Sequence, residues 1–127
     1  MESLSPNIFV ADITKTIEFY KILGFEVAMS VPEEGPDFVW VMMVKGSVTM
    51  MFQTMESLGE ELPEINRSNG GSLLLYIKLS GIRAFFEDIK EKVTVLKGLE
   101  KTFYGATEFS VLDNNGYVLT FAEDEAE

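Results

Sequence analysis

The sequence predicts an α+β protein made of two βαβββ modules within one 127-residue chain. Three observations predict it. A strand-then-helix pattern near the start recurs in the second half when Leu74 is placed beneath Ser5, with the apolar positions agreeing without a gap. Each strand and helix is followed by three further runs of β-type residues, and an acidic, Gly- and Pro-containing stretch from Met55 to Gly71 separates the halves. The expected layout is module one over about residues 4–54, a linker over about 55–71 and module two over about 72–123. Each helix then covers one face of a curved antiparallel sheet, leaving the other face free to line a cavity.

The elements follow in order. "SPNIFVADI" alternates into a strand around Asn7 to Val10, and Asp12 stands where a helix N-cap accepts from free backbone N–H groups. Ile13, Ile17 and Tyr20 recur at helical spacing and Gly24 is a stop signal, so the first helix runs from about Ile13 to Leu23. "FEVAMSV" is a strand, "PEEGPD" a polar loop, and "FVWVMMV" and "SVTMMFQT" flank a Lys45–Gly46 hairpin turn. The linker begins with a short helical piece. In the second half Ile77 lies beneath Ile8, Leu79 beneath Val10, Ile82 beneath Ile13, Phe86 beneath Ile17 and Ile89 beneath Tyr20. Strands are expected around Val93 to Lys97, Phe103 to Leu112 and Tyr117 to Ala122, with "DNNG" as the last turn.

Composition narrows the function. Hydrophobic residues make up 46% and charged residues 24%, which is globular usage. The apolar runs are far shorter than the roughly 20 residues that cross a bilayer, and "MESLSPN" lacks a basic-then-apolar leader, so a cytoplasmic protein with no membrane partner is expected. With no cysteine and no histidine, thiolate chemistry, disulfides and the commonest transition-metal ligand are unavailable. A formal charge of −11 opposes a phosphate backbone, so no nucleic-acid partner is expected.

Strand alternation sorts the candidate cavity residues, because directly opposed residues share a face. A two-residue Lys45–Gly46 turn pairs Val44 with Ser47, Met42 with Thr49, Trp40 with Met51 and Phe38 with Gln53 on one face. The opposite face pairs Met43 with Val48, Val41 with Met50 and Val39 with Phe52, an apolar set that suits packing under a helix. The first face, mixing Trp, Met, Thr and Gln, suits a ligand site. The same parity leaves Ser5, Asn7, Phe9, Leu74, Tyr76, Lys78, Glu108, Ser110, Val118 and Thr120 on the cavity side. Trp40 reads either as a packed core or interface aromatic or as a stacking platform. Glu108 beside Lys78 reads as a cross-strand ion pair or as an acid–base group.

"FVADITKTIEFYKILGFEV" together with "YGATEFSVLDNNGYVLTFAE" resembles the opening and closing segments of the vicinal oxygen chelate superfamily, the glyoxalase, bleomycin resistance and dioxygenase group. The resemblance implies two βαβββ modules forming a cupped sheet, assembled as a homodimer. Enzymes of the family hold a divalent metal through His, Glu or Gln. Here the resemblance puts the ligand positions on Ser5, Leu74, Thr49 or Met51, and Thr120. Leu74 has no donor, and neutral hydroxyls or a thioether cannot offset a divalent charge, so no metal and no cofactor are expected.

The expected function is metal-independent binding of a small aromatic or hydrophobic molecule, including sequestration of the bleomycin resistance type. The residues expected to contact it are Phe38, Trp40, Met42, Thr49, Met51, Gln53, Tyr76, Glu108 and Thr120. No catalytic residue is assigned. The alternatives are a lyase, isomerase or dioxygenase with unusual or no metal ligands, and a dimeric interaction module whose cup is filled by its own side chains.

Overall fold

The computed structural model describes residues 1–68 and 70–125. Asn69 of the linker and Ala126 and Glu127 of the acidic tail lie outside the described residues. The chain divides into two compact units between Ser68 and Gly70.

The first unit runs β1 (Asn7–Val10), α1 (Ile13–Ile22), β2 (Glu26–Val31), β3 (Trp40–Lys45), β4 (Val48–Thr54) and a short α2 (Met55–Leu58). Its sheet order is β1-β4-β3-β2. The second unit runs β5 (Leu74–Lys78), α3 (Ile82–Ile89), β6 (Thr94–Lys101), β7 (Ala106–Leu112) and β8 (Val118–Asp124), with sheet order β5-β8-β7-β6. Both sheets are mixed rather than antiparallel, because β1 runs parallel to β4 and β5 parallel to β8. The helical crossover sends β2 in the direction of β1, and two reversals then bring β4 back to that direction. The same construction applies in the second unit.

Helix α1 forms where its cap and apolar spacing coincide. The Asp12 side chain accepts from the Lys15 N–H at 3.0 Å, while Ile13, Ile17 and Tyr20 face the sheet. The helix ends through two bonds around Gly24 at φ +99°: Phe25 N–H to the Tyr20 carbonyl at 3.0 Å, and Gly24 N–H to the Lys21 carbonyl at 2.9 Å. That is a Schellman end, and its apolar contact is the Tyr20–Phe25 ring pair at 5.6 Å. Tyr20 also meets Phe52 at 4.7 Å, with Val41, Met43 and Met50 completing a buried core. In the second unit Phe85, Phe86, Phe109 and Phe121 do the same work under α3, with Phe109 and Phe121 stacked at 5.1 Å.

The β3–β4 hairpin differs from expectation. Its turn is Gly46–Ser47, and the pairs are Val44 with Thr49, Met42 with Met51 and Trp40 with Gln53. Gly46, at φ +58°, takes the first turn position, where a Gly-first two-residue turn needs a positive φ. Each expected partner is therefore displaced by two residues. An even shift keeps every side chain on its face, so Val41 with Phe52 and Met43 with Met50 remain the helix-side pairs.

Two further boundaries move. β6 extends to Lys101, past the expected Lys97, with register irregularities at Val95/Lys97 and Lys97/Glu100. β7 starts at Ala106 rather than Phe103, because Thr102 to Gly105 form a turn. The Thr102 N–H donates to the Ala106 carbonyl at 2.8 Å, and Gly105 sits at φ +86°. In the linker, the Arg67 guanidinium donates to the carbonyls of Gly59, Glu61, Leu62 and Ile65 and so fastens the loop after α2.

Candidate functional site

Each sheet has a helix-covered face and an open face. On the open face of the first unit the register aligns Asn7, Met51, Met42 and Met29 in one row and Phe9, Gln53, Trp40 and Val31 in the next. Met29 reaches this face because the β2 irregularity between Val27 and Met29 inserts one residue and reverses the alternation. Sequence parity alone does not show that reversal. The Gln53 amide is held at both ends, accepting from Asn7 Nδ2 at 3.1 Å and donating to Ser57 Oγ at 3.0 Å. Trp40, Met42, Thr49 and Met51 are half-buried. This surface is uncharged, aromatic and thioether-rich, a composition that adapts to apolar ligands.

Phe38 does not join that row. It precedes β3, packs over Gly35, and lines a separate surface hollow near the start of α1 with Asp12, Thr14 and Asp37. The two-residue shift of the hairpin gives Gln53 to Trp40 and leaves Phe38 in the loop.

The open face of the second unit carries a cavity of about 340 Å³. Leu74, Leu96 and Val118 form its apolar wall, and Glu108, Ser110 and Thr120 its polar one. Directly opposed pairs place Tyr76 beside Thr120 and Thr120 beside Ser110. The Ser110 and Thr120 hydroxyls lie 2.8 Å apart, which satisfies Thr120 at only 5% exposure.

Glu108 is the charged centre of this face. Its Oε2 accepts from the Tyr76 hydroxyl and from the Tyr104 hydroxyl, each at 2.5 Å. The hydrogen bond to Glu108 holds the Tyr76 proton on well above the ordinary tyrosine range, with desolvation and the carboxylate charge adding to it. Tyr104 shifts upward for the same first reason. Lys78 shares a cross-strand row with Glu108, on the other side of Ala122, but its Nζ pairs with Asp124 Oδ2 at 3.2 Å. Glu108 is thus not an ion-pair partner of Lys78. Tyr104 is not legible as a site residue in the sequence, because "TFYG" passes for the start of a strand. Gly105 was the available signal, since a glycine four residues from an opposing run marks a turn, which brings Tyr104 back over Glu108.

Glu123 projects from the helix-covered face and has a structural task. Its carboxylate accepts from the Gly81 N–H at 3.0 Å and the Ile82 N–H at 3.1 Å, capping α3, whose own cap residue Gly81 has no side chain to do so. These two backbone bonds lower the Glu123 pKa.

The donor chemistry does not fit a divalent metal of the family type. Thr120 is engaged with Ser110, Leu74 offers no donor, and the remaining positions carry a serine and either a threonine or a methionine. Among the described residues no three acidic, His or Cys side chains cluster to replace them.

The model of the Glyoxalase/Bleomycin resistance protein/Dioxygenase superfamily matches residues 4–121, and the chain belongs to that superfamily. Among solved structures, a protein of unknown function from Agrobacterium tumefaciens str. C58 is similar at 26% identity and TM-score 0.76, over 98% of this chain and 94% of that one. A family enzyme from Burkholderia phytofirmans PsJN is similar at 20% identity and TM-score 0.75, over 94% and 96%. A bleomycin-binding protein solved with bleomycin is similar at 19% identity and TM-score 0.66, over 98% and 100%. No curated protein matches. Among the described residues no helix is long and apolar enough to cross a membrane.

Proposed function

We propose that this protein binds a small apolar or aromatic molecule on its open sheet faces, without a metal, as a sequestering or carrying protein. The observation that carries the reading is the cavity of the second unit, apolar on one side and polar on the other, at positions whose side chains are ill suited to a divalent ion. Its volume of about 340 Å³ lies at the low end for small-molecule sites, which favours a ligand of one or two rings. On the second unit Tyr76, Glu108 and Thr120 supply the polar contacts, and on the first unit the uncharged face of Trp40, Met42, Thr49, Met51 and Gln53 is a binding surface of its own. The bleomycin-binding relative lends support to sequestration of a drug as one form of this activity. A cytoplasmic homodimer is part of the same reading. Half-exposed Met29, Leu74 and Leu96 on or beside these faces provide apolar surface for a second copy or a ligand to cover.

Trp40 is the only tryptophan, so its fluorescence reports binding at the first unit's face directly. Titration with bleomycin and a panel of small aromatics, with and without a chelator, is expected to give saturable changes indifferent to the chelator. Stoichiometric bound metal whose removal abolishes a turnover reaction would overturn the reading in favour of an enzyme. Sedimentation tests the homodimer.

A further inference from the structure

We propose that Glu108, Tyr76 and Tyr104 form an anchor for a primary ammonium group carried on an otherwise apolar ligand. The inference rests on the binding reading above and gives the ligand its chemical class. A phenol has one proton to donate and lone pairs to accept with. Tyr76 and Tyr104 both commit that proton to Glu108 Oε2, so neither phenol has a proton left to donate outward, and the Tyr104 oxygen is also a hydrogen-bond partner of Thr102 and Tyr76. Among the described residues Glu108 Oε1 accepts no hydrogen bond. The cluster therefore gathers acceptor oxygens, with no phenol proton left to donate outward, around one negative charge. Both phenol oxygens touch the same carboxylate oxygen, which draws the acceptors together around one charge.

An ammonium is the group that answers this arrangement, with three N–H donors and a positive charge. An anion meets only acceptors and is repelled. A hydroxyl uses one acceptor, and a quaternary ammonium brings charge without donors. No internal cation takes the place: Lys97, which lines the cavity, lies 3.9 Å from Glu100, and Lys78 is paired with Asp124. Among the described residues no lysine or arginine pairs with Glu108. Leu74 and Leu96, both about half exposed, and Val118 provide the apolar wall for the ligand's body.

The test is a matched ligand series followed by calorimetry and amide NMR shifts on the full chain near neutral pH: phenethylamine, its N,N,N-trimethyl derivative, phenethyl alcohol and phenylpropionate. The anchor predicts that phenethylamine binds roughly tenfold or more tighter than the trimethyl compound and the alcohol, with phenylpropionate weakest. Glu108→Gln removes the charge and keeps the shape; it is expected to erase the preference for phenethylamine over phenethyl alcohol. If that variant fails to fold, the wild-type series and the double variant Tyr76→Phe/Tyr104→Phe decide, since the latter removes both phenol acceptors while keeping the carboxylate, and should narrow the preference for the amine over its trimethyl derivative without abolishing it; an unchanged preference overturns the part given to the phenols. Equal binding of amine, trimethyl compound and alcohol by the wild type overturns the anchor and leaves the small-molecule reading standing. Absence of binding across this series, and across the aromatic panel as well, overturns both.

Discussion

The two units share a plan and solve its polar problems differently. In the first, α1 is capped from within by Asp12, one residue before the helix. In the second, the matching position is Gly81 in a left-handed conformation, and the cap arrives from β8 through Glu123. Beneath the helices the solutions coincide, with Tyr20, Phe25 and Phe52 in one and four phenylalanines in the other. The open faces diverge again, uncharged and thioether-rich in the first and acceptor-rich in the second. The lesson is that burial pattern sets the module, whereas polar groups need only be satisfied, from near or from far. The faces that packing leaves free are where the copies differ.

The largest test of that comparison is in the shared part. Phe52→Ala in the first unit and Phe109→Ala in the second are each expected to cost about 3–5 kcal/mol, read as a shift in the denaturation midpoint. Both rings are buried, at 0% and 1% exposure, so unequal losses would break the claim that the two cores are equivalent.

The capping difference gives the next effect. Asp12→Ala should lower stability by about 1 kcal/mol, whereas Gly81→Asp should bring no gain. Glu123 already serves the α3 N–H groups, and Gly81 holds φ +75°, which an added side chain strains. A stabilised Gly81→Asp protein would show that the two caps are interchangeable after all.

The smallest effect is in pH. The Glu123 pKa is lowered in the folded state, so its stabilising contribution is complete above the ordinary carboxylate value of about 4.3 and fades as pH falls through the lowered one. The stability advantage of the wild type over Glu123→Gln, measured by urea denaturation, should therefore be present at about pH 6 and smaller at about pH 3. An advantage that grows on acidification would contradict the cap.

The strands, both long helices and the helix-side core were legible in the sequence because burial follows a period, and periods survive small errors of register. The β3–β4 hairpin shows this: Gly46 moved the turn and every partner changed, yet Trp40, Met42 and Met51 kept their face. Features set by backbone irregularity were not legible. The β2 bulge that turns Met29, the early loop that removes Phe38 from the row, and the Thr102–Gly105 turn that returns Tyr104 to Glu108 depend on single φ values or inserted residues. Glu123 could be assigned to the helix side by parity, but its role needed the distant Gly81 to be seen beside it.

Metal-independent binding on the open faces is read by mapping amide NMR shifts during titration with bleomycin and the aromatic panel, repeated in chelator. Saturable shifts are expected on the open faces, at Trp40, Met42 and Met51 and at Tyr76, Glu108 and Thr120, unchanged by chelation. Shifts that vanish with the chelator, or that spare both open faces while appearing elsewhere on the surface, would contradict it.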